Sequence, residues 1–105
     1  MKEKVLLVDD DAMVLAGLKR QLRNQFSIDT ALSGEEALKQ VLENGPYAVI
    51  VSDFLMPGMN GIEFLSRVKK SNPDTVRMML TGTADMPTAI RAVNEGSIFQ
   101  FHPKP

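Results

Sequence analysis

The chain has 105 residues, 44% of them hydrophobic, which is the length of one domain with enough apolar material for a core. Its 12 basic and 13 acidic residues leave a net charge of -1, a balance that argues against nucleic acid or an anionic membrane as a direct partner. It has no cysteine, which excludes a disulfide scaffold and thiolate zinc sites and is compatible with a reducing cytoplasm.

The N-terminus MKEKVLLVDD carries a four-residue apolar run, too short for a secretory signal or for the roughly 20 residues of a membrane span. We therefore expect a cytoplasmic domain. Val5–Val8 reads as a first strand that runs straight into Asp9, Asp10 and Asp11. Val14, Leu15, Leu18 and Leu22 form the apolar stripe of a helix that Asp11 caps. A weaker strand follows at Ser27–Ala31. Ser33 and Glu36 make a capping box for a second helix, with Ala37, Leu38, Val41 and Leu42 as its stripe and Gly45-Pro46 as its stop. Tyr47–Val51 is a third strand. Ile62, Leu65 and Val68 mark a third helix that ends at Asn72-Pro73, and Val76–Leu80 is a fourth strand. Pro87 opens a fourth helix, with Ala89, Ile90 and Val93 facing inward and Gly96 behind it. A second weak strand is expected at Ser97–Phe101.

The three strong strand runs are continuous rather than alternating, as expected of strands covered on both faces. Strict β/α alternation predicts right-handed crossovers and a doubly wound parallel sheet with helices on both sides. In such sheets ligands bind beyond the carboxyl ends of the strands. Those ends carry complementary groups here: Asp9–Asp11 after the first strand, Asp53 after the third, Thr81 after the fourth and Lys104 after the fifth.

Two carboxylates about 4 Å apart repel by about 4 kcal/mol at an effective dielectric near 20. Clustered carboxylates without nitrogen or sulfur donors suit a hard cation, and Mg²⁺ is the natural choice. The cation offsets the repulsion and admits a phosphoryl group. Thr81 then donates to one phosphoryl oxygen, Lys104 neutralises another, and a carboxylate acts as nucleophile. Taken singly, each residue has a plainer role. One of the three acids is a helix cap, Asp53 is turn chemistry, Thr81 is a turn hydroxyl and Lys104 is a solvated lysine. Their coincidence at one edge favours the chemical reading.

VDDD at 8–11, SDFLMPGMNG at 52–61, LTG at 80–82 and KP at 104–105 resemble the receiver domains of two-component response regulators, in order and spacing, from Val5 to Pro105. The resemblance implies a flavodoxin-like three-layer sandwich with a five-stranded sheet of order 2-1-3-4-5. It implies that Asp53 accepts a phosphoryl group from a sensor histidine kinase or phosphotransfer protein. Asp10, Asp53 and the backbone carbonyl of Leu55 would bind Mg²⁺, with Asp9 acting mainly through a metal-bound water. Thr81 and Lys104 would hold the phosphoryl oxygens, and Thr81 and Phe101 would form the switch. Asp11 falls outside the family's acidic pair and stays a cap. Pro57 would stiffen the loop after the acceptor, and its glycines permit positive φ or close backbone approach.

The family has a fifth helix after the KP pair, and none is present in this chain. We therefore read residues 1–105 as one receiver domain truncated after the fifth strand, with an output domain beyond residue 105. A rearranged dimer is the alternative. A homodimer through the face of the fourth helix and fifth strand is a further implied partner, whereas neither direct nucleic-acid binding nor a membrane is expected. His102, the single histidine, reads as a packing or surface residue, and the seven methionines read as core filler and loop anchors. Arg67, Lys69 and Lys70 read as a solvated helix face.

Two other readings compete. A haloacid-dehalogenase-like phosphatase would use the Asp9-x-Asp11 pattern, yet the chain has no acidic pair after its lysine and Asp53 would go unexplained. A receiver-like module that never takes phosphate would be expected to lack one of the key groups, and all are present.

Overall fold

The computed structural model describes residues 2–80, the backbone of Thr81 and the backbone of residues 100–103. Its elements are β1 (Glu3–Val8), α1 (Ala12–Leu22), β2 (Phe26–Ala31), α2 (Gly34–Asn44), β3 (Val49–Asp53), α3 (Gly61–Ser71), β4 (Val76–Thr81) and β5 (Gln100–Pro103). All strands are parallel, in the order β2-β1-β3-β4-β5. This is the doubly wound, flavodoxin-like arrangement expected from the alternation and the resemblance. The expected fourth helix from Pro87 lies outside the described residues.

Parallel neighbours cannot be joined by a tight hairpin, so each crossover runs through a helix that must cover a sheet face. Leu6, Val8, Ile50 and Met79 point to one face and pack with Ala37 and Val41 of α2 and Phe64, Leu65 and Val68 of α3. Val5, Leu7 and Ile28 point to the other face and pack on Leu15 of α1. Each such side chain taken fully out of water contributes roughly 1.5–3 kcal/mol. β1 and β3 are thus buried on both faces, which is why their sequences read as unbroken apolar runs.

Helix boundaries follow local chemistry. Asp11 Oδ1 accepts the backbone N–H groups of Met13, at 2.9 Å, and Val14, at 3.4 Å, as the capping role requires. Ser33 Oγ accepts the N–H of Glu36 at 3.1 Å. The Glu36 carboxylate bonds the N–H of Leu32, one residue before the cap, rather than that of Ser33. Asn60, within the SDFLMPGMNG stretch, caps α3 through the N–H of Glu63, in an Asn-x-x-Glu pattern.

Three details depart from the expected stripes. Val14 and Leu42 are exposed, because at roughly 100° per residue each falls at the margin of the stripe its neighbours define. Phe64, unnamed in the expected stripe of the third helix, is fully buried. β3 starts and ends two residues later than expected. Register with β4 carries its pairing to Asp53↔Leu80, leaving Tyr47 and Ala48 as its approach.

Several polar groups inside the fold have defined partners. Tyr47 donates to Asp29 Oδ2 at 2.6 Å, which satisfies an inward-facing carboxylate on edge strand β2. Lys4 lies 5.1 Å from the centre of the Tyr47 ring and donates to the carbonyl of Asn44. Arg77, buried on β4, bonds the carbonyls of Pro73 and Thr75, and burial lowers its pKa from the ordinary arginine value. Among the described residues, no helix is long and apolar enough to cross a membrane.

Candidate functional site

Three strand ends meet at the carboxyl edge of the sheet. β1 stops at Val8, and Asp9 follows with its N–H on the carbonyl of Ala31 at 3.1 Å. Asp9 Oδ1 accepts the N–H of Asp11 at 2.9 Å, which turns the chain sharply and sets Asp10 outward. Asp53 is the last residue of β3, and the next residue, Phe54, donates to Leu80 of β4 at 3.0 Å. β1 and β3 are adjacent, so the turn after one brings its acids against the end of the other.

One carboxylate oxygen from each of Asp9, Asp10 and Asp53 falls within 4.8 Å of the others. Asp9 and Asp53 are buried and Asp10 is exposed, so the cluster is walled by protein on one side and open to solvent on the other. Three oxygen donors this close, with no histidine or cysteine in the cluster, fit a small hard cation that keeps several waters. The donor set therefore suits Mg²⁺. Asp11 is not part of the cluster, since its carboxylate caps α1.

The loop from Phe54 to Asn60 frames the opening. Leu55 is 63% exposed at its rim, whereas Met56 and Met59 are buried and anchor it. Gly58 sits at φ 78°, where a side chain would be strained. Gly61 opens α3 in close contact with the strand it follows. Its N–H bonds the Phe54 carbonyl at 2.9 Å, and a Cβ there would stand 2.4 Å from the Asp53 carbonyl oxygen. The same carbonyl accepts Ser52 Oγ at 3.0 Å. The sequence reading assigned no role to Ser52; its burial at the end of an apolar strand was the available signal.

Thr81 ends β4, beside β3, which puts its backbone at the same edge. Phe101 pairs with Met79 in β5. Lys104 lies outside the described residues, and the side chains of Thr81 and Phe101 lie outside them too. A cavity of about 480 Å³ lies at the opposite end of the sheet, lined by Glu3, Tyr47, Asn72, Asp74 and Thr75 among others. It contains none of the clustered acids, so the candidate site is the cluster at the carboxyl edge.

A doubly wound parallel sheet with a three-aspartate cluster at its carboxyl edge defines an α/β domain with a group that could hold a hard cation. The sequence profile of the response regulator receiver domain matches residues 5–105, and the chain belongs to that family. It is 39% identical over 101 residues to the hydrogenase transcriptional regulatory protein HoxA of Cupriavidus necator, covering 96% of this chain and 21% of HoxA. Its fold is similar to a crystal structure titled adenylate cyclase from Rhodopirellula baltica, with TM-score 0.96 and 45% identity, over 100% of this chain and 78% of that one. It is also similar to response regulator TrrA from Thermotoga maritima in complex with Mg²⁺-BeF, with TM-score 0.85 and 29% identity, over 98% and 87% of the two chains. This chain thus spans about a fifth of the length of its curated relative HoxA. HoxA is by its name a transcriptional regulator, so the expectation of a protein without nucleic-acid partners finds no support there.

Proposed function

We propose that this receiver domain is a phosphorylation switch in which Asp53 is the phosphoacceptor and Mg²⁺ is required. The observation that carries this reading is the gathering of Asp9, Asp10 and Asp53, from two separate strand ends, within the reach of one cation. Asp10, Asp53 and the Leu55 carbonyl are the proposed ligands, and Asp9 acts through a bound water. When bound, the cation neutralises the acids and the incoming phosphoryl charge.

A carboxylate oxygen of Asp53 attacks the phosphorus of a histidine kinase's phosphohistidine. A P–O bond forms as the P–N bond breaks, and the imidazole leaves with the electron pair and takes up a proton. Thr81 and Lys104 hold the phosphoryl oxygens. The acyl phosphate brings about -1.5 to -2 charge and new acceptor oxygens. Thr81 moves toward them and Phe101 fills the vacated space, which changes the surface of β5 and of the fourth helix expected from Pro87. That face is the proposed homodimer contact.

The likeness to a receiver crystallised with Mg²⁺-BeF supports the cation requirement. In a longer protein the segment 1–105 acts in the cytoplasm as the input module. It relays its state to an output domain, and that domain can contact DNA even though this segment, with a net charge of -1, has no excess of basic charge to do so.

The dehalogenase-like alternative needs Asp9 and Asp11 as its working pair. Occupation of Asp11 Oδ1 by the amides of Met13 and Val14 tells against it. Incubating the protein with acetyl phosphate and Mg²⁺ tests the acceptor assignment. Wild type should label to one phosphoryl group per chain and Asp53→Asn should not label; full labelling of the variant refutes the assignment.

A further inference from the structure

The first turn of α2 carries adjacent glutamates with different partners. Glu36 serves its own helix end, through Ser33 and Leu32. Glu35 reaches the loop after the acceptor instead. Its Oε1 accepts the backbone N–H of Met59 at 3.4 Å, across 24 residues of sequence. The same oxygen stands 3.2 Å from where a Cβ on Gly58 would be, so the bare glycine leaves room for the carboxylate. One residue earlier, a Cβ on Gly34 would lie 3.1 Å from Met59 Sδ, so the Met59 side chain is seated on bare helix backbone. Consecutive α2 residues therefore grip Met59 by its side chain and by its amide. Among the described residues no basic group forms an ion pair with Glu35.

We propose that Glu35 is a positioning residue for the cation site, clamping the loop between β3 and α3 so that the Leu55 carbonyl stands at a fixed place beside Asp53. The proposal rests on the Mg²⁺ reading of the acidic cluster. Magnesium demands nearly ideal octahedral ligands at 2.0–2.1 Å. A carboxylate side chain can swing to meet it, whereas a loop carbonyl must be placed by the backbone. Asp53 at the end of β3 holds one end of this loop and the Asn60 cap holds the other. Glu35 and Gly34 secure the stretch between them from a different element.

The test uses the ¹⁵N-labelled chain. In metal-free solution, Glu35→Ala should speed deuterium exchange at the Met59 amide about two- to fivefold, the worth of one weak hydrogen bond, and leave β1 amides unchanged. A Mg²⁺ titration followed by amide shifts should give a Kd raised by a similar factor. Glu35→Gln keeps an acceptor oxygen without the charge and should restore both values. A Kd in Glu35→Ala equal to wild type overturns the proposal. So does a Glu35→Gln no better than alanine, which would mark a long-range charge effect. If wild type shows no Mg²⁺-dependent shifts, the cation reading fails and the positioning role falls with it. Met59 exchange without metal still reports whether Glu35 holds the loop, which separates the two failures.

Discussion

Neighbouring aspartates with the same side chain are given different tasks by the turn they share. Asp9 ties down the amide of Asp11, Asp11 ties down the first turn of α1, and Asp10 is left facing the cluster. Asp10→Ala should therefore weaken Mg²⁺ binding strongly. Asp11→Ala should leave binding near wild type and cost about 1 kcal/mol of stability, the usual worth of a helix cap. Calorimetric titration and thermal melts of both variants check this, and equal losses of affinity would remove the distinction. Tyr47 carries a second expectation at this scale. Burial, followed by the hydrogen bond to Asp29, pushes its hydroxyl above the ordinary value of 10.0. The folded state therefore favours neutral Tyr47, and its contribution to stability is intact below pH about 10 and lost as pH rises beyond it. In denaturant melts across roughly pH 8 to 11, stability should fall less steeply with rising pH in Tyr47→Phe than in wild type. Identical slopes would count against the assignment.

Between elements, the tightest requirement is at the start of α3. Alanine is a better helix former than glycine by about 1 kcal/mol, so Gly61→Ala would stabilise an isolated helix. In this fold the added methyl meets the Asp53 carbonyl, a backbone atom that cannot swing aside. Overpacking of that kind costs about 1–3 kcal/mol, so the clash should win and the variant should melt lower than wild type. A higher melting temperature would show that the loop yields. Glycine in the SDFLMPGMNG stretch was visible in the sequence, and so were the caps at Asp11 and Ser33, because capping depends on residues three or four apart. The 24-residue reach of Glu35 to Met59 was not, since no local pattern marks which of two adjacent glutamates leaves its own helix. Exposure of Met13 at 84%, against burial of Met56, Met59 and Met79, was equally hidden: methionine fits any apolar setting, and only packing sorts core from surface.

At the scale of the whole molecule, the proposed cation site should be linked to stability. The acids sit at the carboxyl ends of β1 and β3, adjacent interior strands, so a cation bound between them should stabilise the folded chain alone. Mg²⁺ at about 100 times its Kd should add about 2.7 kcal/mol and raise Tm by several degrees, with the rise absent in Asp10→Ala. Scanning calorimetry across a Mg²⁺ series checks this; a Tm independent of Mg²⁺ in wild type would contradict it. On the face that carries Val76, which is 38% exposed, α1 is the helix that packs among the described residues.

Fold class, the helix caps at Asp11 and Ser33 and the candidate carboxylates at the strand ends were legible in the sequence alone. Buried parallel strands, amphipathic helices and capping motifs are written in short-range patterns, and carboxylates at strand ends are visible wherever the strands stop. Only the tertiary structure decided that Asp9, Asp10 and Asp53 gather within 4.8 Å of one another, that Gly61 abuts the Asp53 carbonyl and that Glu35 reaches the loop after Asp53. Those outcomes depend on where separate strands and helices are brought side by side, and that is a property of the packed sheet which no local stretch of residues contains.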